Sequence, residues 1–183
     1  METTKLNDYT TDLYVLIKHS LNAVKSQKTS SKVTSSKAVD LLHDLDKALT
    51  QQVQAFENMD EHLNEGAKTT IKEKIASITG SLAGALDTQR EDPVSKMLRD
   101  DYTALSMIAS GFTMLHTAAL GSGNDELAEF STSSLKTIAG LITETSRIIP
   151  HVVAAELGTE QIAEAAETNT QECWNPENTM ATA

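Results

Sequence analysis

Between Pro93 and Asn124 the chain sets Val94, Leu98, Asp101, Leu105, Ile108, Phe112, Leu115 and Ala119 at three- and four-residue steps. From Tyr102 to Asn124 it carries no charged side chain, His116 aside. Apolar residues recurring at that step share one face of a helix, so the spacing predicts a long helix over 93–121. Asp92 is placed to accept from the free amides of the first turn, and Pro93 suits the first helical position, where its missing donor costs nothing. Ala104, Ala109, Ser110, Gly111 and Ala118 are small enough to admit a close neighbour. Thr103, Ser106, Ser110, Thr113 and Thr117 make the stretch a buried bundle helix rather than a membrane span, and no membrane insertion is expected.

A helix this long requires partners, and the rest of the chain supplies them. Leu6, Tyr9, Leu13, Leu16, Ile17, Leu21 and Val24 predict a helix over about 5–25. Leu42, Leu49, Phe56 and Leu63, interleaved with Leu45, Gln52 and Met59, predict a second over 36–64, with a seam broken only by Gln52 and a stop at Gly66. Ile71, Ile75, Ile78, Leu82 and Leu86 predict a shorter helix over 68–87. After the Gly121-Ser122-Gly123-Asn124 turn, a helix starts near Asp125 with Leu127, Phe130, Leu135, Ile138, Leu141, Ile142, Ile148 and Ile149 as its buried stripe. Pro150 cannot donate to the preceding turn and crowds the Ser146 carbonyl, so a kink or an end is expected there before His151 to Leu157 resume an apolar pattern. Gly158 and Thr159 then separate a short acidic helix over 160–167 from what precedes it.

The expected fold is all-α: a ferritin-like four-helix bundle with an additional crossover helix and a short C-terminal helix. The 183 residues divide into a helical domain over 1–167 and a loosely ordered acidic tail over 168–183, in which Trp174 is expected to pack on its own domain, with a docking anchor as the alternative. Composition agrees, because three Phe, three Tyr and one Trp leave the core to Ala, Leu, Ile, Val and Met, which favour helices over sheets.

Charge narrows the partners. The net charge is -11, with 4 basic and 14 acidic side chains over 91–183, against 11 and 12 over 1–90. That balance excludes capture of a nucleic-acid backbone, which needs a cationic face. Lys18, Lys25, Lys28, Lys32 and Lys37 fall in a stretch free of acids between Asp12 and Asp40, among Ser and Thr. It reads as a solvated connection; an anionic-membrane-surface module working through Lys25 to Lys37 is the alternative, although no apolar anchor accompanies the lysines. The polar opening residues and the single Cys173 fit a cytoplasmic setting.

Little in the sequence points to catalysis. There is no phosphate-binding glycine loop, no nucleophile elbow, no His-Glu-x-x-His and no dinucleotide fingerprint. Cys173 lies among acids rather than in the cationic surroundings that activate a thiol. A diiron bundle needs Glu-x-x-His pairs, and no Glu here has a His three residues on; Asp40 with His43 is the only acidic match. His62 stands between Glu61 and Glu65, near Glu57. Asp40, His43, Glu57, Glu61, His62 and Glu65 are therefore the candidate ligands of an alternative reading, an iron-handling or oxidase-like protein with an unorthodox site. The leading expectation has no catalytic residues and no cofactor.

The segment Leu98-Arg99-Asp100-Asp101-Tyr102, followed by Thr113-Met114-Leu115-His116-Thr117-Ala118-Ala119-Leu120 before a Gly/Asn turn, resembles the second helical pair of the ferritin-like stress proteins of the YciE/YciF type. The resemblance implies two long helices, a crossover holding a shorter one and two further long helices over roughly 5–155, in a stress-linked, oligomeric setting. It also implies paired Glu and His ligands on the inner faces, where this chain has Ser106 to Ser110 and Ser134 to Ala139; a lost metal site and no enzymatic activity follow. The expected function is protein–protein contact, as a homodimer with room for a further protein partner, through helix 94–120 and the region Ile148 to Leu157.

Overall fold

The structure is a computed structural model that describes residues 2–60 and 93–174. The helix expected over 68–87, the Gly66 stop and the Asp92 cap lie outside the described residues. Helix α1 spans Glu2–Lys28, α2 Ser36–Asp60, α3 Val94–Gly121, α4 Asp125–Glu156 and α5 Ala163–Cys173, with a single 3-10 turn over Glu160–Ile162 before α5. Every regular element among the described residues is helical.

Four long helices pack side by side, and the contacts between them fix their directions. Tyr14 and Lys28 of α1 reach Glu57 and Asp46 of α2, so these two run antiparallel. Gln27 meets Asp101 and Leu13 meets Gly111, which sets α1 antiparallel to α3. Gln52 binds Ser134 while Lys37 approaches His151, and His116 meets Ala128 while Ser95 meets Glu156, so α4 opposes both α2 and α3. It follows that α2 and α3 point the same way, and that the end of α2 and the start of α3 sit at opposite ends of the bundle.

The eight buried residues of α3 are the eight that its spacing predicts, Val94 to Ala119. In the core, Tyr14, Phe56, Phe112 and Phe130, one ring from each long helix, form a connected cluster with centroids 5.3–6.1 Å apart. Offset and edge-to-face rings of this kind add to their area burial. Gly111 allows α3 to approach α1, since a Cβ there would stand 2.7 Å from Leu13 Cδ1.

Four expectations need correction. Pro93 is the cap itself, with no side-chain hydrogen bond of its own, and helix α3 begins at Val94. Glu156 at the end of α4 caps this turn, accepting from Ser95 N–H (2.9 Å) and from Ser95 Oγ (2.5 Å). Of the kink or end expected at Pro150, the end is not found: helix α4 continues to Glu156, because Ile148 and Val152 are buried on either side and that burial outweighs one lost backbone bond. The innermost line of α4 includes Ser131, Ser134 and Thr145, while Leu127, Phe130, Leu135, Leu141, Ile142 and Ile149 flank it half-buried. Ser131 and Thr145 bury without penalty by donating to the carbonyls of Leu127 and Leu141, both at 2.7 Å. Finally, helix runs on past 167 to Cys173, anchored by Glu167 as described below.

Both α3 and α4 end on a glycine in the left-handed region, Gly123 (φ 69°) and Gly158 (φ 65°). Asn124 N–H returns to Ala119 O and Thr159 N–H to Ala154 O, completing the paired bonds that satisfy the last carbonyls. Asn124 also starts α4, its side chain accepting from Leu127 N–H at 3.1 Å.

Candidate functional site

Of the six candidate metal ligands, Asp40, His43 and Glu57 lie among the described residues, and these three are not brought together. Asp40 lines an open cleft of about 220 Å³ between α2, α4 and α5, shared with Lys37, Leu41, Asp44, Glu144, Arg147, Ile148 and Glu167. His43, one turn further along α2, is exposed and outside that cleft. Glu57 lies at the far end of the same helix, about 25 Å from Asp40 at the helical rise, where it accepts from Tyr14 Oη (2.8 Å) and pairs with Lys18 (3.6 Å). Glu61, His62 and Glu65 lie outside the described residues. Among the described residues no three His, Cys, Asp or Glu side chains are placed to hold a metal ion.

The cleft is instead where α5 is fastened. Glu167 accepts from Arg147 Nε (2.9 Å) and from His151 Nε2 (2.7 Å), and its carboxyl is held below the usual range first by His151 and then by Arg147. Lys37 Nζ lies 3.2 Å from the same His151 nitrogen. Because Nε2 donates to Glu167, it has no lone pair left for Lys37, and the lysine adds only its charge. Gln171 Nε2 donates to Ser146 Oγ, and the Trp174 ring lies 6.0 Å from that of Tyr102 while staying 61% exposed. Trp174 therefore packs on its own domain at the start of α3.

Two features stand out elsewhere. The first is a buried pair where α1 ends and α3 begins. Gln27 Nε2 donates to Asp101 Oδ1 at 3.0 Å, while Gln27 Oε1 and Asp101 Oδ2 are both buried without a partner. Asp101 is 6% exposed. Burial pushes its carboxyl up to about 7; the Gln27 bond opposes that shift and the charge of Asp100 adds to it.

The second is the outward face of α3. Met107 and Leu120 are each 56% exposed and Met114 is 48% exposed. Thr103, Ser110, Thr113 and Thr117 share the exposed side, and each hydroxyl donates to the carbonyl four residues back. Their donors are thus used by their own helix, and what they offer outward is largely methyl and methylene. His116 is turned toward α4, its Nδ1 3.0 Å from Ala128 O. Helix α3 is long and apolar enough to cross a membrane, a property that the core helix of a bundle shares, and here its inner face forms the core. Of the second expected contact region, Ile148, Val152 and Ala154 are buried, leaving Val153 and Leu157 as its exposed apolar residues.

The charge-free run was visible in the sequence, but not which of its residues face outward. Asp101 carried a signal too: an acid on an otherwise apolar seam must be paired or neutral.

Compared with protein-family models, with curated proteins and with solved structures, the chain matches none of them.

Proposed function

We propose that this chain is a non-catalytic, ferritin-like helical bundle that works through protein–protein contact, pairing with a second copy of itself across the outward face of α3. The observation that carries the reading is that face, uncharged from Tyr102 to Asn124, with Met107, Met114 and Leu120 exposed and its hydroxyl donors occupied. An exposed apolar stripe on a long helix is weakly hydrated and self-complementary, which suits a two-fold contact. The ferritin-like element of the proposal is supported by helix direction, since two antiparallel pairs joined between opposite ends of a bundle describe that plan. On the inner faces, where the family implied by the resemblance carries ligands, stand hydroxyls bound to their own helix and a cluster of four rings. A stress-linked, cytoplasmic role is proposed on the resemblance alone.

Light scattering across a concentration series tests the pairing. The unaltered protein is expected to scatter as a dimer, and Met107→Glu with Met114→Glu as a monomer of unchanged helical circular dichroism. A monomer throughout, or a dimer in the double variant, overturns the proposal. Mass-spectrometric metal analysis of freshly purified protein tests the non-catalytic part, and stoichiometric iron or zinc would contradict it.

A further inference from the structure

The Gln27–Asp101 contact leaves two buried oxygens facing no donor, on groups already joined by one hydrogen bond. A buried acceptor without a partner is costly, and a buried carboxylate that accepts a single neutral donor costs more. One added proton removes both problems: a carboxylic acid and a primary amide are complementary, each offering one donor and one acceptor. We infer that Asp101 is protonated in the folded protein and that its Oδ2–H is donated to Gln27 Oε1, so that the two side chains exchange a pair of bonds and form a proton-dependent latch between α1 and α3.

The surroundings favour the neutral acid. From α1 the group facing Asp101 is the Gln27 amide. Lys28, the next residue, is turned to Asp46 on α2 at 2.6 Å, and Lys25 also acts on Asp46. From α4, Glu156 is bound to Ser95. On α3 itself Asp100 opposes ionisation, and Arg99 is held to Asp100 at 2.7 Å. Among the described residues no cation contributes to the shift of Asp101. The carboxyl that burial holds at about 7 thus sits where a small rise in pH above neutrality charges it.

The sign follows from linkage. A carboxyl whose folded value lies above its unfolded one gives stability that is fully present below the ordinary Asp range of about 4 and is lost as pH rises through about 7. Above that point the latch carries a buried charge facing a bare amide oxygen, and the joint between α1 and α3 loosens.

The direct test is a carbon-13 titration of the side-chain carboxyls of the unaltered protein. One Asp resonance is expected to change with a midpoint near 7, well apart from the ordinary carboxylate range. If every Asp titrates in the ordinary range, the inference fails. Asp101→Asn supplies the second measurement, because two amides form the same pair of bonds with no proton to lose. Urea midpoints of the two proteins are expected to lie closest at pH 4 and to separate progressively up to pH 8, with the unaltered protein the weaker. Midpoints that stay parallel across that range overturn the latch. Should the variant fail to fold, the carboxyl titration decides alone.

Discussion

Two glycines in long helices show how the same residue carries opposite meaning. Gly111 lies under Leu13 Cδ1, so the close approach of α1 and α3 depends on its missing side chain, whereas Gly140 on the exposed side of α4 has nothing within 4 Å of where a Cβ would be. Gly111→Val forces a branched side chain into a buried leucine and is expected to cost about 1–3 kcal/mol. Gly140→Ala relieves the entropic penalty of a mid-helix glycine and is expected to add about 0.5–1 kcal/mol. Urea denaturation of the two variants checks both signs; equal effects would mean that the α1–α3 approach is not tight. Asp101 belongs to the same scale, since under the latch proposed above its neutral form and the pair of bonds exchanged with Gln27 decide whether one joint of the bundle holds.

At the scale of elements, α5 is the least self-sufficient. Eleven residues are too few for a helix to persist alone in water, so α5 depends on its attachments. Glu167 supplies the main one, through Arg147 and His151. Its carboxyl is held below the usual range, so its contribution is present above the ordinary Glu value and is lost as pH falls through the lowered one. Glu167→Gln is expected to raise hydrogen exchange across Ala163–Cys173 while leaving α1 to α4 protected; unchanged exchange in α5 would assign its order to Trp174 and Gln171 instead.

The elements also show what sequence can carry. The α3 seam was legible residue for residue, because Leu, Ile, Val and Phe at helical steps leave one solution. The α4 stripe was legible at Ile138 and Ile148, but its other residues lie on the flanks, because Ser131, Ser134 and Thr145 look polar in sequence and become core only when their hydroxyls bond within the bundle. Pro150 does not end α4 for a related reason: local backbone chemistry favours a break there, and the packing of Ile148 and Val152 against other helices opposes it. Capping of α3 by Glu156 was illegible, since it joins residues 61 apart in sequence.

At the scale of the whole molecule, helix direction and surface chemistry connect. The antiparallel neighbours place the apolar faces of α1 to α4 inward, and among the described long helices α3 alone combines an inner seam that is apolar but for Asp101 with an outer face uncharged from Tyr102 onward. Among the described candidate ligands, Asp40 and Glu57 stand at opposite ends of α2, with Glu57 engaged by Tyr14 and Lys18. A two-fold contact along α3 would bring Ser110, which lies between Met107 and Met114 and is exposed, close to its own copy. The most direct measurement is therefore disulfide trapping of Ser110→Cys in a Cys173→Ser background under mild oxidation, with Lys47→Cys on the exposed side of α2 as the comparison. Rapid formation of a linked dimer at position 110 and not at 47 is the expected result. Equal trapping at both positions, or none at 110, would contradict pairing through α3.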